Sequence, residues 1–196
     1  MFISHVSPTE ATGDLIEIYD REREFWGYLP NYALLFSHRP ELWFAWRQLI
    51  GIVKGNMDPR IYELATLAAA TALKSSYCSL AHGKALTGFY EGETIAALAR
   101  DRAILPSPEA ALMDFSAKVA TDASAVTQDD VDRLRQEGWT DTDIFDVAAA
   151  VSARAFFATL LDALGAVPDQ QLGQLDPKVV AALTVGRKVD DPRLNS

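Results

Sequence analysis

The stretch Glu63-Leu-Ala-Thr-Leu-Ala-Ala-Ala-Thr-Ala-Leu-Lys74-Ser75-Ser76-Tyr77-Cys78-Ser-Leu-Ala-His82 decides the fold of this chain. Asp58-Pro59 precedes it as an N-cap and a first-turn proline, and its alanine- and leucine-rich body favours helix, so the sequence predicts a helix over Arg60–Leu73. Lys74-Ser75-Ser76-Tyr77 then reads as a short break with two possible N-caps. A second helix is expected from Cys78 to about Tyr90, returning on the first as a hairpin.

The surrounding pattern is helical as well. Ser7-Pro8-Thr9 offers a helix start reaching about Trp26, and Gly27-Tyr28-Leu29-Pro30 breaks it. A short helix over Tyr32–Ser37 and a longer one over Glu41–Lys54 follow. The latter carries Leu42, Trp43, Trp46, Leu49, Ile50 and Val53 at three- and four-residue spacing, a stripe that reads as core. Glu93–Arg100 and Glu109–Ala120 are further helices, with Leu105-Pro106-Ser107-Pro108 between them as the one candidate linker. Thr127-Gln128-Asp129-Asp130 and Thr140-Asp141-Thr142-Asp143 each begin a helix, the second running Ile144–Leu164 and closed by Gly165. No stretch sustains the period-two alternation of a strand. The expected fold is all-α, a single domain over 1–196, with its core motif in 58–90, C-terminal helices in 109–169 and a frayed tail over about 188–196.

Composition narrows the function classes. Of 196 residues, 18 are Lys or Arg and 27 are Asp or Glu, a net charge of −9, and such a surface repels phosphate backbones and anionic lipid. Neither a nucleic-acid nor a membrane partner is therefore expected. The run Leu64–Leu73 is too short to span a bilayer, and the stretch after Ile144 is interrupted by Asp146, Arg154 and Asp162. One cysteine excludes an intrachain disulfide, and three histidines leave little material for a metal site, so no metal or cofactor is expected. A single free thiol fits a reducing cytoplasm.

Cys78 and His82 are four residues apart, which places them on one helix face. In the first turn of that helix, free backbone amides and the positive dipole end favour thiolate over thiol. Glu63, on the preceding helix, can orient the imidazole if the two helices pack antiparallel. Thiolate, imidazole and carboxylate form an activated-nucleophile arrangement. Each residue also has a structural reading: Cys78 as a small buried apolar side chain, His82 as a satisfied core histidine, Glu63 as a partner of Arg60, Ser75 as an N-cap and Tyr77 as packing.

The spacing of these residues resembles the motif of the carboxymuconolactone decarboxylase and alkylhydroperoxidase D superfamily: a Glu, a Cys-x-x-Cys beginning twelve positions on, and a His four beyond the second Cys. Glu63, Ser75, Cys78 and His82 keep every interval, and Gly27-x-x-Pro30-Asn31 through Ser37-x-x-Pro40 resembles the approach to that motif in peroxidase-related members. The resemblance implies an alkylhydroperoxidase-D-like helical fold and a trimer or hexamer. The Ile144–Leu164 helix, apolar nearly all round, independently suggests a homo-oligomer. One position departs, since Ser75 stands where the family has its resolving Cys.

What the resemblance implies is a one-Cys, thiol-dependent peroxidase, an antioxidant activity of peroxiredoxin type. Cys78 would attack the peroxide, His82 supported by Glu63 would supply the leaving group's proton, Tyr77 would shape the pocket and an external thiol would recycle the sulfur. A lactone-decarboxylase-like lyase would instead use His82 and Glu63 as acid and base, with Lys74 or Lys84 for the substrate carboxylate. A third reading is an oligomeric binding protein that has lost catalysis with its first motif Cys. The departure itself is testable. In a Ser75→Cys variant, peroxide should yield a 75–78 disulfide, which requires Cα atoms roughly 4.4–6.8 Å apart. Mass spectrometry showing two persisting thiols would mean that the two positions are not aligned as the motif requires.

Overall fold

In a computed structural model, residues 1–189 are described. Ten α-helices follow in order: α1 Asp14–Trp26, α2 Asn31–Leu35, α3 Pro40–Gly55, α4 Pro59–Ala72, α5 Ser76–Leu86, α6 Gly92–Leu98, α7 Ser107–Asp122, α8 Gln128–Gln136, α9 Asp141–Ala163 and α10 Pro177–Leu183. No strand occurs among the described residues, and the expected all-α architecture is present.

The centre of the molecule is α4. Asp58 accepts from the Ile61 amide, Pro59 fixes the first turn, and every residue from Ile61 to Ala70 is buried. Ala65, Ala68, Ala69 and Ala70 are wholly inaccessible, and their small side chains let α5, α7 and α9 pack against α4 on different sides. One contiguous set of buried side chains runs from Leu15 to Leu183, across both sides of Pro106. Leu105-Pro106-Ser107-Pro108 is therefore no spacer: Pro106 is the N-cap of α7, and Pro108 sits in its first turn.

The capping box read from the sequence at Thr127 forms with Asp130, and the cap read at Thr140 proves to be a second box, with Asp143. Other boundaries differ. The first helix starts at Asp14 rather than near Ser7, because Gly13 adopts φ 55° and Ser7 turns locally onto Glu10 instead. α5 starts two residues before Cys78 and stops at Leu86, where the amides of 87–90 close in tight turns onto the Lys84, Ala85 and Leu86 carbonyls. Ser75 is the N-cap residue of α5 by backbone position, yet its side chain makes no capping hydrogen bond. By length and composition α9 is long and apolar enough to cross a membrane, but it packs as a core helix against α3, α4 and α7.

α10 has no counterpart in the sequence reading. It lies on α5 and α6, and Gly83 makes room for it: a Cβ there would meet Leu183 Cδ1 at 2.3 Å. The chain then passes the start of α5, where the Gly186 amide donates to Ser76 Oγ at 2.7 Å. The expected frayed tail falls largely on 190–196, outside the described residues.

A Cβ at Gly186 would meet the backbone carbonyl of Lys74 at 2.1 Å, and backbone cannot swing aside as a side chain end can. Gly186→Ala should therefore lift this return off the 74–76 turn and lower stability by about 1–3 kcal/mol, the range for overpacking. Urea unfolding compared with wild type measures it; an unchanged midpoint would contradict the close packing.

Candidate active site

Six helices, α1 to α5 and α9, bring the site together. Cys78 is the third residue of α5, so the unpaired amides of that first turn lie around it. It is a free thiol, 1% exposed. The hydrogen bond to its sulfur comes from α9, where Arg154 Nη1 lies 3.6 Å from Sγ. Arg154 Nη2 sits 3.5 Å from the Tyr62 hydroxyl of α4. The guanidinium also faces the stacked rings of Trp46 and Phe157, 5.6 and 5.3 Å from their centroids. Burial works against its charge, but Cys78 and Tyr62 outweigh that, and its pKa lies above the ordinary value. Among the described residues its Nε has no hydrogen-bond partner.

The second half of the site is a buried carboxylate–imidazole pair. Glu63 Oε2 on α4 lies 2.5 Å from His82 Nδ1 on α5, one turn beyond Cys78. Thr66 Oγ1 is 3.0 Å from the same nitrogen while donating its own proton to the Tyr62 carbonyl at 2.7 Å. Two acceptors thus meet at Nδ1, which fixes the proton there and leaves Nε2 with its lone pair free. Lys54 Nζ reaches Glu63 Oε1 at 3.2 Å. Burial alone would raise the Glu63 carboxyl, but His82 and Lys54 bring it down to about 2. Burial, reinforced by Arg154, lowers His82 to about 4 against the pull of Glu63. At neutral pH the pair is a carboxylate and a neutral imidazole.

Tyr77 is held from the other direction. Its hydroxyl donates to Asp169 Oδ2 at 2.5 Å, and the same carboxylate accepts from the Tyr28 hydroxyl at 3.2 Å and the Asn31 amide at 2.7 Å. Asp169 therefore ties the 27–31 loop and the chain after α9 to the residue beside Cys78. Burial and then Asp169 push the Tyr77 phenol well above its ordinary pKa, so it stays protonated as a donor.

Cys78, His82, Tyr77, Glu63 and Arg154 line a cavity of about 320 Å³, walled by Trp26, Tyr32, Trp46, Tyr62 and Phe157. Its rim is made by exposed Phe25, Arg47, Gly51 and Lys54. Ser75 is fully buried but does not line this space, and among the described residues its hydroxyl has no hydrogen-bond partner. Neither lysine considered for a substrate carboxylate lines the cavity: Lys74 is exposed in the turn at φ 58°, and Lys84 Nζ lies over the Trp26 ring, 5.0 Å from its centroid. The lining cations are Arg47, Lys54 and Arg154 instead. Among the described residues no group of three or more His, Cys, Asp or Glu is arranged to hold a metal ion.

The structure thus unites Glu63, Tyr77, Cys78 and His82 as the spacing suggested, and separates Ser75 from the cavity. It adds Arg154, whose sequence signal was to be the one basic residue among the three charges that interrupt an apolar helix, and Tyr62, Lys54 and Asp169, which had none.

The fold is that of the alkylhydroperoxidase D core. The alkylhydroperoxidase AhpD core of an uncharacterized peroxidase-related protein from Ralstonia eutropha JMP134 superposes with a TM-score of 0.78 at 22% identity, over 87% of this chain and 93% of that one. A peroxidase-related protein from Silicibacter sp. TM1040 gives 0.73 at 18%, over 89% and 92%. A cysteine-to-alanine variant of the debrominase Bmp8, in complex with 2,3,4-tribromopyrrole, gives 0.72 at 15%, over 93% and 96%. No protein-family model and no curated protein matches the sequence.

The buried pair makes stability depend on acid. An unfolded histidine takes up a proton near pH 6.5 and an unfolded glutamate near 4.5, whereas here both take it up lower, at about 4 and about 2. Between those values the unfolded chain binds more protons, so stability falls as pH falls from 6.5 towards 2. His82→Gln should flatten the upper part of that decline, between pH 6.5 and 4, in urea midpoints measured across pH. An equal slope in wild type and variant would contradict a neutral buried imidazole.

Proposed function

We propose that this chain is a thiol-dependent peroxidase that reduces a hydroperoxide through Cys78. The observation that carries the reading is the sulfur on the floor of an aromatic cavity, hydrogen-bonded by the Arg154 guanidinium and sharing that cavity with the Glu63–His82 pair. His82 Nε2, the free lone pair, takes the thiol proton, and Glu63 balances the imidazolium that forms. Arg154 balances the sulfur's negative charge. The thiolate attacks the distal oxygen; the O–O bond breaks, its electron pair leaves on the alkoxide, and the alkoxide takes the proton back from His82. The products are an alcohol and Cys78 sulfenic acid. Two equivalents of an external thiol then reduce it, the first forming a mixed disulfide with loss of water and the second releasing Cys78. A reducing compartment such as the cytoplasm supplies them.

This assigns His82 a return of the thiol's own proton, because a neutral imidazole holding its hydrogen on Nδ1 has none to spare for the leaving group. The acid–base lyase reading keeps His82 and Glu63 but leaves Cys78 incidental, and the Arg154 contact favours the thiol. The peroxidase-related neighbours accord with the proposal, and the debrominase structure shows a small planar ring held by a protein of this fold. Exposed Leu49 and Ile52 on α3 and Phe145 and Phe156 on α9 support self-association, as a trimer or hexamer.

Brief treatment with cumene hydroperoxide, followed by dimedone trapping and peptide mass spectrometry, tests the reading. Cys78 is expected to carry the sulfenic acid adduct, and Cys78→Ser is expected to lose peroxide turnover with dithiothreitol entirely. An unmodified Cys78 with turnover unchanged in Cys78→Ser would sink it.

A further inference from the structure

We infer that the cavity is built for a planar aromatic hydroperoxide that also carries an anionic oxygen, with the ring among Trp26, Tyr32 and Trp46 and the anion received by Arg154. The inference rests on the peroxidase reading of the same cavity and names the substrate class for it. Three observations point to it.

First, the charge is reversed. The chain carries nine more acidic than basic side chains, yet the cavity lining carries Arg47, Lys54 and Arg154 against the single carboxylate Glu63, which Lys54 already balances, leaving two cations in excess. A low-dielectric cleft lined by one sign of charge concentrates ligands of the opposite sign. Second, Arg154 is 8% exposed, and among the described residues it has no carboxylate partner, only a thiol, a phenol and ring faces. Its Nε–H is buried with no acceptor, and a planar guanidinium offers an anionic oxygen donors in fixed fork geometry. Third, the walls are rings that are themselves locked. The Tyr32 hydroxyl donates to buried Glu22, which also accepts from Trp43 Nε1 at 2.7 Å, and Trp26 Nε1 donates to the Tyr32 oxygen at 3.2 Å. Rigid aromatic faces suit a flat ring better than a flexible aliphatic chain. A volume of about 320 Å³ stands at the small end of ligand sites, which span about 300–1,000 Å³, and so fits one or two rings.

Benzoate serves as an unreactive probe, titrated into the reduced protein without peroxide and followed by calorimetry and by fluorescence of Trp26 and Trp46. Benzyl alcohol keeps the ring without the charge, and cyclohexanecarboxylate keeps the charge without the flat ring. Benzoate is expected to saturate, and each control to bind at least about tenfold more weakly, a factor of ten being about 1.4 kcal/mol. Arg154→Met should abolish the preference for benzoate over benzyl alcohol; if that variant does not fold, the wild-type comparison decides alone. Benzyl alcohol binding as tightly as benzoate would overturn the anion, cyclohexanecarboxylate binding as tightly would overturn the ring, and no saturation by benzoate would overturn both. The titration involves no oxidation of Cys78, so its failure and a failure of the peroxidase reading appear in different experiments.

Discussion

A buried guanidinium with no carboxylate partner among the described residues is the constraint around which this molecule is arranged. Arg154 sits in the middle of its longest and most apolar helix, where an uncompensated charge costs several kcal/mol. The compensation comes from three other elements: the Cys78 sulfur of α5, the Tyr62 oxygen of α4, and the faces of Trp46 on α3 and Phe157 one turn along α9. Each of those elements must be docked for the charge to be tolerated, and each contributes a wall of the cavity. Folding and the assembly of the site are in that sense the same event.

The same charge explains how the two halves of the site divide their labour. Burial disfavours a charged imidazole and Arg154 and Lys54 add to it, so His82 stays neutral despite lying against Glu63. A protonated imidazole beside a carboxylate would be an inert ion pair; a neutral one, its Nδ1 proton fixed by Glu63 and Thr66, presents a base. Asp169 does the corresponding work for the backbone, since its contacts to Tyr77, Tyr28 and Asn31 set where the first turn of α5 begins.

Much of this was legible in the sequence, for local reasons. The Asp58-Pro59 start, the two threonine caps and the break at Lys74-Ser75 are written in short-range chemistry, and they appear close to where they were read. The Glu63, Cys78 and His82 intervals are local too, needing only a hairpin to bring them together. What could not be read is what arrives from a distance. Arg154 reaches Cys78 from 76 positions downstream and Asp169 reaches Tyr77 from 92, and no periodicity announces either contact. Ser75 stands at the N-cap of α5 as its position in the break suggests, but no capping hydrogen bond forms, because its hydroxyl is buried without a partner among the described residues. α10, seven residues long, exists because Gly83 leaves a space for Leu183, which is a tertiary fact.

The central claim is that Arg154 activates Cys78, and the rate of Cys78 alkylation by iodoacetamide at neutral pH tests it most directly. A hydrogen bond to a charged group contributes about 1.5–3 kcal/mol, so Arg154→Met should slow alkylation roughly tenfold or more. Arg154→Lys, which keeps the charge without the fork, should fall between the variant and wild type. Circular dichroism confirms that the helices persist in each. Equal alkylation rates in wild type and a folded Arg154→Met protein would contradict the account.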